Sequence, residues 1–335
     1  MNRTVLLFLL FIIMFAFSCE QNTNSIVVYT TVDQVFSEPV LKEFEKETGI
    51  KVKAVYDTEE TKSTGILNRL IAEKDNPQCD VFWSGDPLRT AVLKNKNILY
   101  SYTSKAAEGI DMVFKDKDNY WTGFSARARV LIYNKDLLKD NDVPQSIFDL
   151  TDKKYKAKVA IANPLFGTTT FHFAALFSVI GDERAKLFLD SLKANDIVIA
   201  SSNGDVKRRV VKGEVYCGLT DTDDANEAIK ESANIGVVFL DQKGIGSLIM
   251  PNTVSLIKKA KVSDNAKKLF DYLLSEDTEI ALAKSCAQMP LHKGVKLPKG
   301  VLSLDNIKPM NIDYNKTAGK LENIQGYLKA WVEDK

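Results

Sequence analysis

The chain has 335 residues, with 45 Lys and Arg against 44 Asp and Glu, 45% hydrophobic and 27% charged side chains. At about 150 residues per domain, this length predicts two domains with room for two hydrophobic cores, and the ordinary composition excludes a disordered chain, a coiled coil and a polytopic membrane protein. Residues 1–18 carry a single charge, Arg3, which leaves 44 basic and 44 acidic side chains in the remainder; without a basic excess, nucleic acid is excluded as a partner.

Residues 1–3 are short and basic, and residues 5–17 form an unbroken apolar run of thirteen residues, too short to span a bilayer. Residues 1–18 therefore read as a signal peptide. Ser18 then stands directly before Cys19, which resembles the cleavage box of bacterial lipoproteins. The resemblance implies lipidation of Cys19, with residues 19–25 as a polar tether. It also implies a periplasmic or cell-surface location, with the membrane reached through the lipid anchor alone; a plain secretion signal with an incidental cysteine is the alternative. Cys79, Cys217 and Cys286 show no CxxC or His-Cys spacing, so neither a zinc site nor a full disulfide framework is indicated. They read as small buried hydrophobes, and a disulfide between two of the three is left open.

Strand and helix signals alternate after the tether. Residues 26–30 are a β-branched run; 37–47 place Val40, Leu41 and Phe44 at helical spacing before Gly49; 50–56 alternate as a strand. A helix over 63–74, a strand over 79–83 and a helix over 87–94 complete a β-α repeat that predicts a mostly parallel sheet covered on both faces. After a strand over 128–133, a second set follows: strands at 159–161, 197–200 and 216–220, with helices at 168–179, 183–193, 204–212 and 223–231. A strand over 253–257, a helix over 266–274, three prolines (Pro290, Pro298, Pro309) and a final helix over 317–335 end the chain.

Several segments carry a family resemblance. Val28-Tyr29-Thr30-Thr31, Phe44 to Val52, Asp80-Val81-Phe82-Trp83-Ser84, Ser125 to Asn134, Asn163-Pro164-Leu165-Phe166-Gly167-Thr168, Leu192 to Asn195 and Lys267 to Leu274 together resemble periplasmic solute-binding proteins of the ferric-iron-binding type, in family order from about residue 26 to 295. The resemblance implies an α/β, two-lobed periplasmic-binding-protein fold (type II), each lobe a mainly parallel sheet with helices on both faces. Residues 26–122 with about 247–300 would form one lobe, and about 123–246 with 301–335 the other. A small charged ligand would sit in the cleft at the hinge. An ABC permease and an ATPase would be the partners, the binding protein itself working as a monomer.

In that family iron is held by a histidine, an acidic residue and adjacent tyrosines, with phosphate or carbonate completing the shell. The matching positions here are Asp33, Gly85 beside Asp86, and Thr222-Asp223. A carboxylate cluster of Asp33, Asp86, Asp221, Asp223 and Asp224 is the expected cation site, since hard cations take oxygen ligands; the alternative for any one aspartate is a helix cap. The anion half of the site falls on Gly167, Thr168 and Thr169, because a glycine and hydroxyls at a helix start form an anion cradle. Asn203, Thr31 and Thr222 join it. Arg127 and Arg129 lie on the strand expected to cross between lobes, one expected to face the cleft and the other away. Residues 61–65 are a second cradle or an ordinary N-cap. Trp83, and with it Trp121, is expected at a strand end bordering the crevice, able to stack on an organic ligand.

Two functions compete within this reading. The first is the binding component of an importer for Fe3+ with phosphate or carbonate; the second is a binding protein for an oxyanion-bearing organic solute such as a phosphonate, organophosphate or carboxylate. Catalysis is not expected and no catalytic cofactor is implied, because a nucleophile needs an oriented base. His172 lies in a predicted helix between two phenylalanines and His292 in a loop.

Overall fold

The computed structural model describes residues 24–57, 64–305 and 307–334. The signal peptide, Cys19, and the Thr61 to Ser63 part of the second cradle lie outside them. The first half runs β1 (Ser25–Thr30), α1 (Gln34–Thr48), β2 (Lys51–Tyr56), α2 (Thr64–Ala72), β3 (Val81–Ser84), α3 (Pro87–Asn95) and β4 (Leu99–Tyr100). After the long β5 (Thr122–Asn134), the second half runs β6 (Val159–Ala162), α4 (Gly167–Ile180), α5 (Asp182–Ala194), β7 (Val198–Ala200), α6 (Asn203–Val211), β8 (Cys217–Asp221), α7 (Thr222–Lys230) and β9 (Ile235–Val238). The chain then returns through β10 (Ile249–Ile257), α8 (Asp264–Leu273) and α9 (Glu276–Cys286), and ends in α10 (Tyr314–Glu333).

The strands form one mixed sheet in the order β2-β1-β3-β10-β5-β8-β6-β7, with β4 on β10 and β9 on β5. Among the named strands, parallel pairing is confined to the expected β-α units: β1 with β2 and β3, and β6 with β7 and β8. What periodicity did not reveal is the antiparallel centre. β10 pairs antiparallel with β3 and β5, and β5 pairs antiparallel with β8 and β9. Strand direction leaves no trace in an apolar pattern, so a β-α repeat predicts mostly parallel neighbours. β5 pairs with β10 up to Ala128 and with β8 from Arg129, so a single strand carries the chain from one half to the other.

Alternation explains why both faces are covered. In β1, Val28 enters one core and Tyr29 the opposite one; in β5, Val130 and Ile132 enter one, Leu131 and Tyr133 the other. Each fully buried Phe or Leu of such a core stabilises the fold by about 1.5–3 kcal/mol relative to exposure. The same alternation corrects the expectation for Trp83. It is 0% exposed and packs on Phe124 at a centroid distance of 5.6 Å, because its position in β3 points into the core under α1 and not along the strand toward the crevice. Trp121 is also buried, edge-on to Tyr314 at 5.7 Å.

The C-terminal helix touches both halves. Asn315 donates to Asp116 at 3.1 Å, while Trp331 donates from its indole N–H to Leu189 O at 3.0 Å. Helices α9 and strand β9 were not anticipated. In α9 the buried face includes Glu279, 0% exposed, and a charge on that face interrupts the apolar spacing from which a helix is read. Cys79, Cys217 and Cys286 are free buried thiols, all three pushed upward in pKa by burial.

Candidate functional site

Five helix N-termini converge on one cleft of about 510 Å³. Each follows the C-terminal end of a strand: α1 after β1, α3 after β3, α4 after β6, α6 after β7 and α7 after β8. This is where ligands sit in open α/β sheets. Helix starts carry partial positive charge and unpaired amides, so five of them together favour an anion. At three of the five, α1, α4 and α7, the N-cap residue makes no side-chain cap hydrogen bond, whereas Asp86 and Ser202 cap α3 and α6.

The cleft brings together Thr31, Asp33, Asp86, Arg127, Gly167, Thr168, Thr169, Asn203, Asp221 and Asp223 from the sequence reading, along with Asp224. Gly167 starts α4 with φ +61 and no neighbour within 4 Å of where a Cβ would stand, a backbone conformation that glycine adopts without penalty. Asn203 links the two anion-side helices, donating to Thr168 Oγ1 at 2.8 Å and to Asp221 Oδ2 at 3.1 Å. The Thr31 hydroxyl accepts from Gly85 N at 2.8 Å.

The arginine pair corrects one expectation. Residues two apart on a strand share a face, and both guanidinium groups reach Asp221. Arg129 is 2% exposed and donates from Nη1 to Asp221 at 2.7 Å, Asn203 at 3.0 Å and Thr168 at 3.1 Å. Arg127 remains partly open to the cleft, donates to Gly85 O at 3.0 Å, and lies 3.5 Å from Asp223 and 3.8 Å from Asp221. Arg127 thus joins the β3-α3 turn of one half to the start of α7 in the other. Burial works against its charge, but the carboxylates of Asp223 and Asp221 outweigh that and hold its pKa above the ordinary arginine value.

Asp221, Asp223 and Asp224 offer carboxylate oxygens that all lie within 4.8 Å of one another, an arrangement of hard oxygen donors. Burial, with repulsion from Asp221, raises the pKa of Asp223 despite Arg127. Burial, followed by repulsion from Asp223 and Asp221, pushes Asp224 up to about 7. Asp86 differs. Its carboxylate accepts from Leu88 N at 2.9 Å and Arg89 N at 3.2 Å and is ion-paired with the Arg89 guanidinium, so it is a helix cap and arginine partner instead of a cation ligand. Asp33 is exposed at the start of α1.

Thr222 does not line the cleft: it is 2% exposed and its hydroxyl accepts from Ala128 N at 3.2 Å, tying α7 to β5. His172 is buried, and desolvation followed by the nearby Arg129 charge lowers its pKa to about 3. Residues that sequence reasoning missed include Phe36, Phe166, Asn252 and Gln288, which also line the cleft. Phe166 was legible, as an aromatic in the place of a helix cap; Asn252 and Gln288 come from the return strand and the segment after α9, where no local motif marks them.

Residues 40–308 match the family described as bacterial extracellular solute-binding protein. Iron uptake protein A1 of Synechocystis sp. is 29% identical over 302 residues, 86% of this chain and 80% of that protein. A putative 2-aminoethylphosphonate-binding periplasmic protein of Salmonella paratyphi A is 27% identical over 292 residues, again 86% and 80%. Among solved structures, iron-bound HitA from Pseudomonas aeruginosa superposes with a TM-score of 0.81 over 91% of this chain and 99% of that one, at 21% identity, a likeness of fold: two lobes around a cleft.

Proposed function

The chain belongs to the bacterial extracellular solute-binding protein family, and from that premise we propose that it receives the cargo of an ABC importer, ferric iron together with a small oxyanion, and hands it to a permease driven by an ATPase. The observation that carries this reading is the Asp221, Asp223 and Asp224 cluster facing uncapped helix starts across a single cleft. Carboxylates supply the oxygen ligands a hard trivalent ion requires, while the Gly167 turn and Asn203 suit phosphate or carbonate. The relatives named for iron support it.

Closure follows from the geometry. Thr31 and Asp33 come from one half, Gly167, Asn203 and Asp223 from the other, so a ligand that touches both stabilises the closed form by its differential affinity. We place the protein outside the cytoplasm as a monomer anchored through Cys19, with residues 26–122 and 247–300 as one closing body and 123–246 and 301–335 as the other.

A second reading, an oxyanion-bearing organic solute without iron, is favoured by a specific observation. Among the described residues no tyrosine lines the cleft, and Arg127 already lies within 4 Å of two of the three carboxylates. Metal analysis and thermal shift of the purified mature chain with ferric citrate, ferric phosphate and phosphonates separate the two. Stoichiometric iron without a tyrosinate absorption band supports the first; a melting-point rise with metal-free phosphonates alone replaces it by the second.

A further inference from the structure

Helix starts favour Ser, Thr, Asp or Asn at the N-cap, and α6, α8, α9 and α10 follow that rule, with Ser202, Ser263, Ser275 and Asp313 each accepting from a first-turn amide. The N-cap of α4 is Phe166, which makes no cap hydrogen bond and is 65% exposed. It sits beside Gly167 and lines the cavity. Phe36, in the first turn of α1, lines the same cavity from the opposite half of the sheet. A local rule broken at a site, with no gain for the fold, marks function. Neither ring is called for by a bare ion with an inorganic anion, and the cavity of about 510 Å³ falls in the range of about 300–1,000 Å³ that holds small organic ligands.

We propose that Phe166 and Phe36 select the anion: the cargo includes an organic carboxylate or phosphonate whose carbon skeleton lies against the two rings while its oxyanion meets the Gly167 turn and Arg127. This rests on the reading of the cleft as a cargo site and names the class of the anion, whether it travels alone or as the chelator of iron. Phe166 is then a specificity-determining residue, at the expense of the helix cap.

The test uses the mature chain with three probes, inorganic phosphate, methylphosphonate and phenylphosphonate, each with and without equimolar ferric iron, which tells chelator from free solute. The wild type should bind phenylphosphonate roughly tenfold more tightly than phosphate, the size of one good aromatic contact. Phe166→Ser should bring that ratio close to one and, because serine caps α4, raise the melting temperature; Phe166→Tyr should keep the ratio. A residue that matters only to the fold could not weaken selectivity while stabilising the chain. Equal wild-type affinities for phosphate and phenylphosphonate overturn the inference and leave the importer reading standing. A Phe166→Ser variant that keeps the wild-type ratio but fails to support uptake overturns it in favour of a permease contact. If no probe binds with or without iron, the cargo reading falls and this inference with it.

Discussion

The carboxylate of Glu279 accepts two hydrogen bonds from His292, one from its backbone N–H at 3.0 Å and one from ring Nδ1 at 2.8 Å. The other ring nitrogen lies 3.0 Å from Ala106 O, which can only accept, so the doubly protonated ring is the form that satisfies both contacts. Glu279 also takes the N–H of Ser125 at 2.6 Å and of Leu291 at 2.8 Å. It thereby holds the irregular point in β5, where Ser125 has φ +41, two residues before Arg127.

The hydrogen bond that its ring donates to Glu279 raises the pKa of His292. A raised histidine contributes stability that is fully present below the unfolded value of about 6.5 and is lost as pH rises through the folded value. Thermal denaturation between pH 6 and 9 should therefore show the wild type losing more stability than His292→Gln, and a flat difference between the two would refute the pairing. Glu279→Ala, which strands four donors in the core, should cost about 3–5 kcal/mol in a denaturant midpoint experiment.

Arg127 and Arg129 should separate binding from folding. Arg129→Ala leaves Asp221, 1% exposed, without its closest partner, and removing one member of a buried ion pair costs about 3–5 kcal/mol. Arg127 is partly open to the cleft, so Arg127→Ala should cost about 1 kcal/mol of stability and weaken oxyanion binding about tenfold or more, as loss of a charge-assisted contact does. Paired urea denaturation and phosphate titration of both variants check this; equal stability losses would mean that Arg127 is a structural residue.

Most of the fold was legible because β-branched runs and helical spacing report burial, and burial here is regular. Its limits were physical as well. Periodicity carries no strand direction, so the antiparallel β5 and β10 were not foreseen, and Glu279 concealed α9. At the site, the Gly167 turn was legible as a helix start read from consecutive residues, whereas Asn203 and the aspartates near 221–224 were reached through the family resemblance. Trp83 was misplaced for the opposite reason: a strand end borders the crevice only if its side chain is on the open side, and at β3 both sides are covered. Asp86 could not be told from a ligand by sequence, since a capping carboxylate and a metal-binding one occupy the same position before a helix.

The acidic cluster predicts opposite pH trends for the empty and loaded protein. Asp224 is pushed up to about 7 and Asp223 is also raised, so between the unfolded value of about 3.9 and about 7 the folded state holds more protons than the unfolded one. Stability of the empty protein should fall as pH rises through that window, while cation affinity should rise, because the cation displaces protons. Asp224→Asn should raise the melting temperature at pH 8 by about 2 °C, the scale of roughly 1 kcal/mol for a chain of this size, and lower iron uptake. Calorimetric titration in two buffers of different ionisation enthalpy should detect proton release on iron binding at pH 6.5 that is smaller in the variant.

Gly167 and Gly181 bracket α4, at φ +61 and φ +84, and neither has a neighbour within 4 Å of a Cβ position. An alanine at either meets no steric obstacle, so its cost is conformational alone: about 1–2 kcal/mol for a left-handed φ at Gly167, and up to about 3 kcal/mol at Gly181, where φ +84 with ψ 160 is a conformation essentially restricted to glycine. Both substitutions should therefore lower the urea midpoint, Gly181→Ala by at least as much as Gly167→Ala. They should differ in binding: Gly181 lies at the far end of the helix, whereas Gly167 sets the direction of the Thr168 and Thr169 amides at the cleft. Gly167→Ala should weaken phosphate binding several-fold and Gly181→Ala should leave it at the wild-type value. If both variants titrate like the wild type, the start of α4 is not where the oxyanion sits.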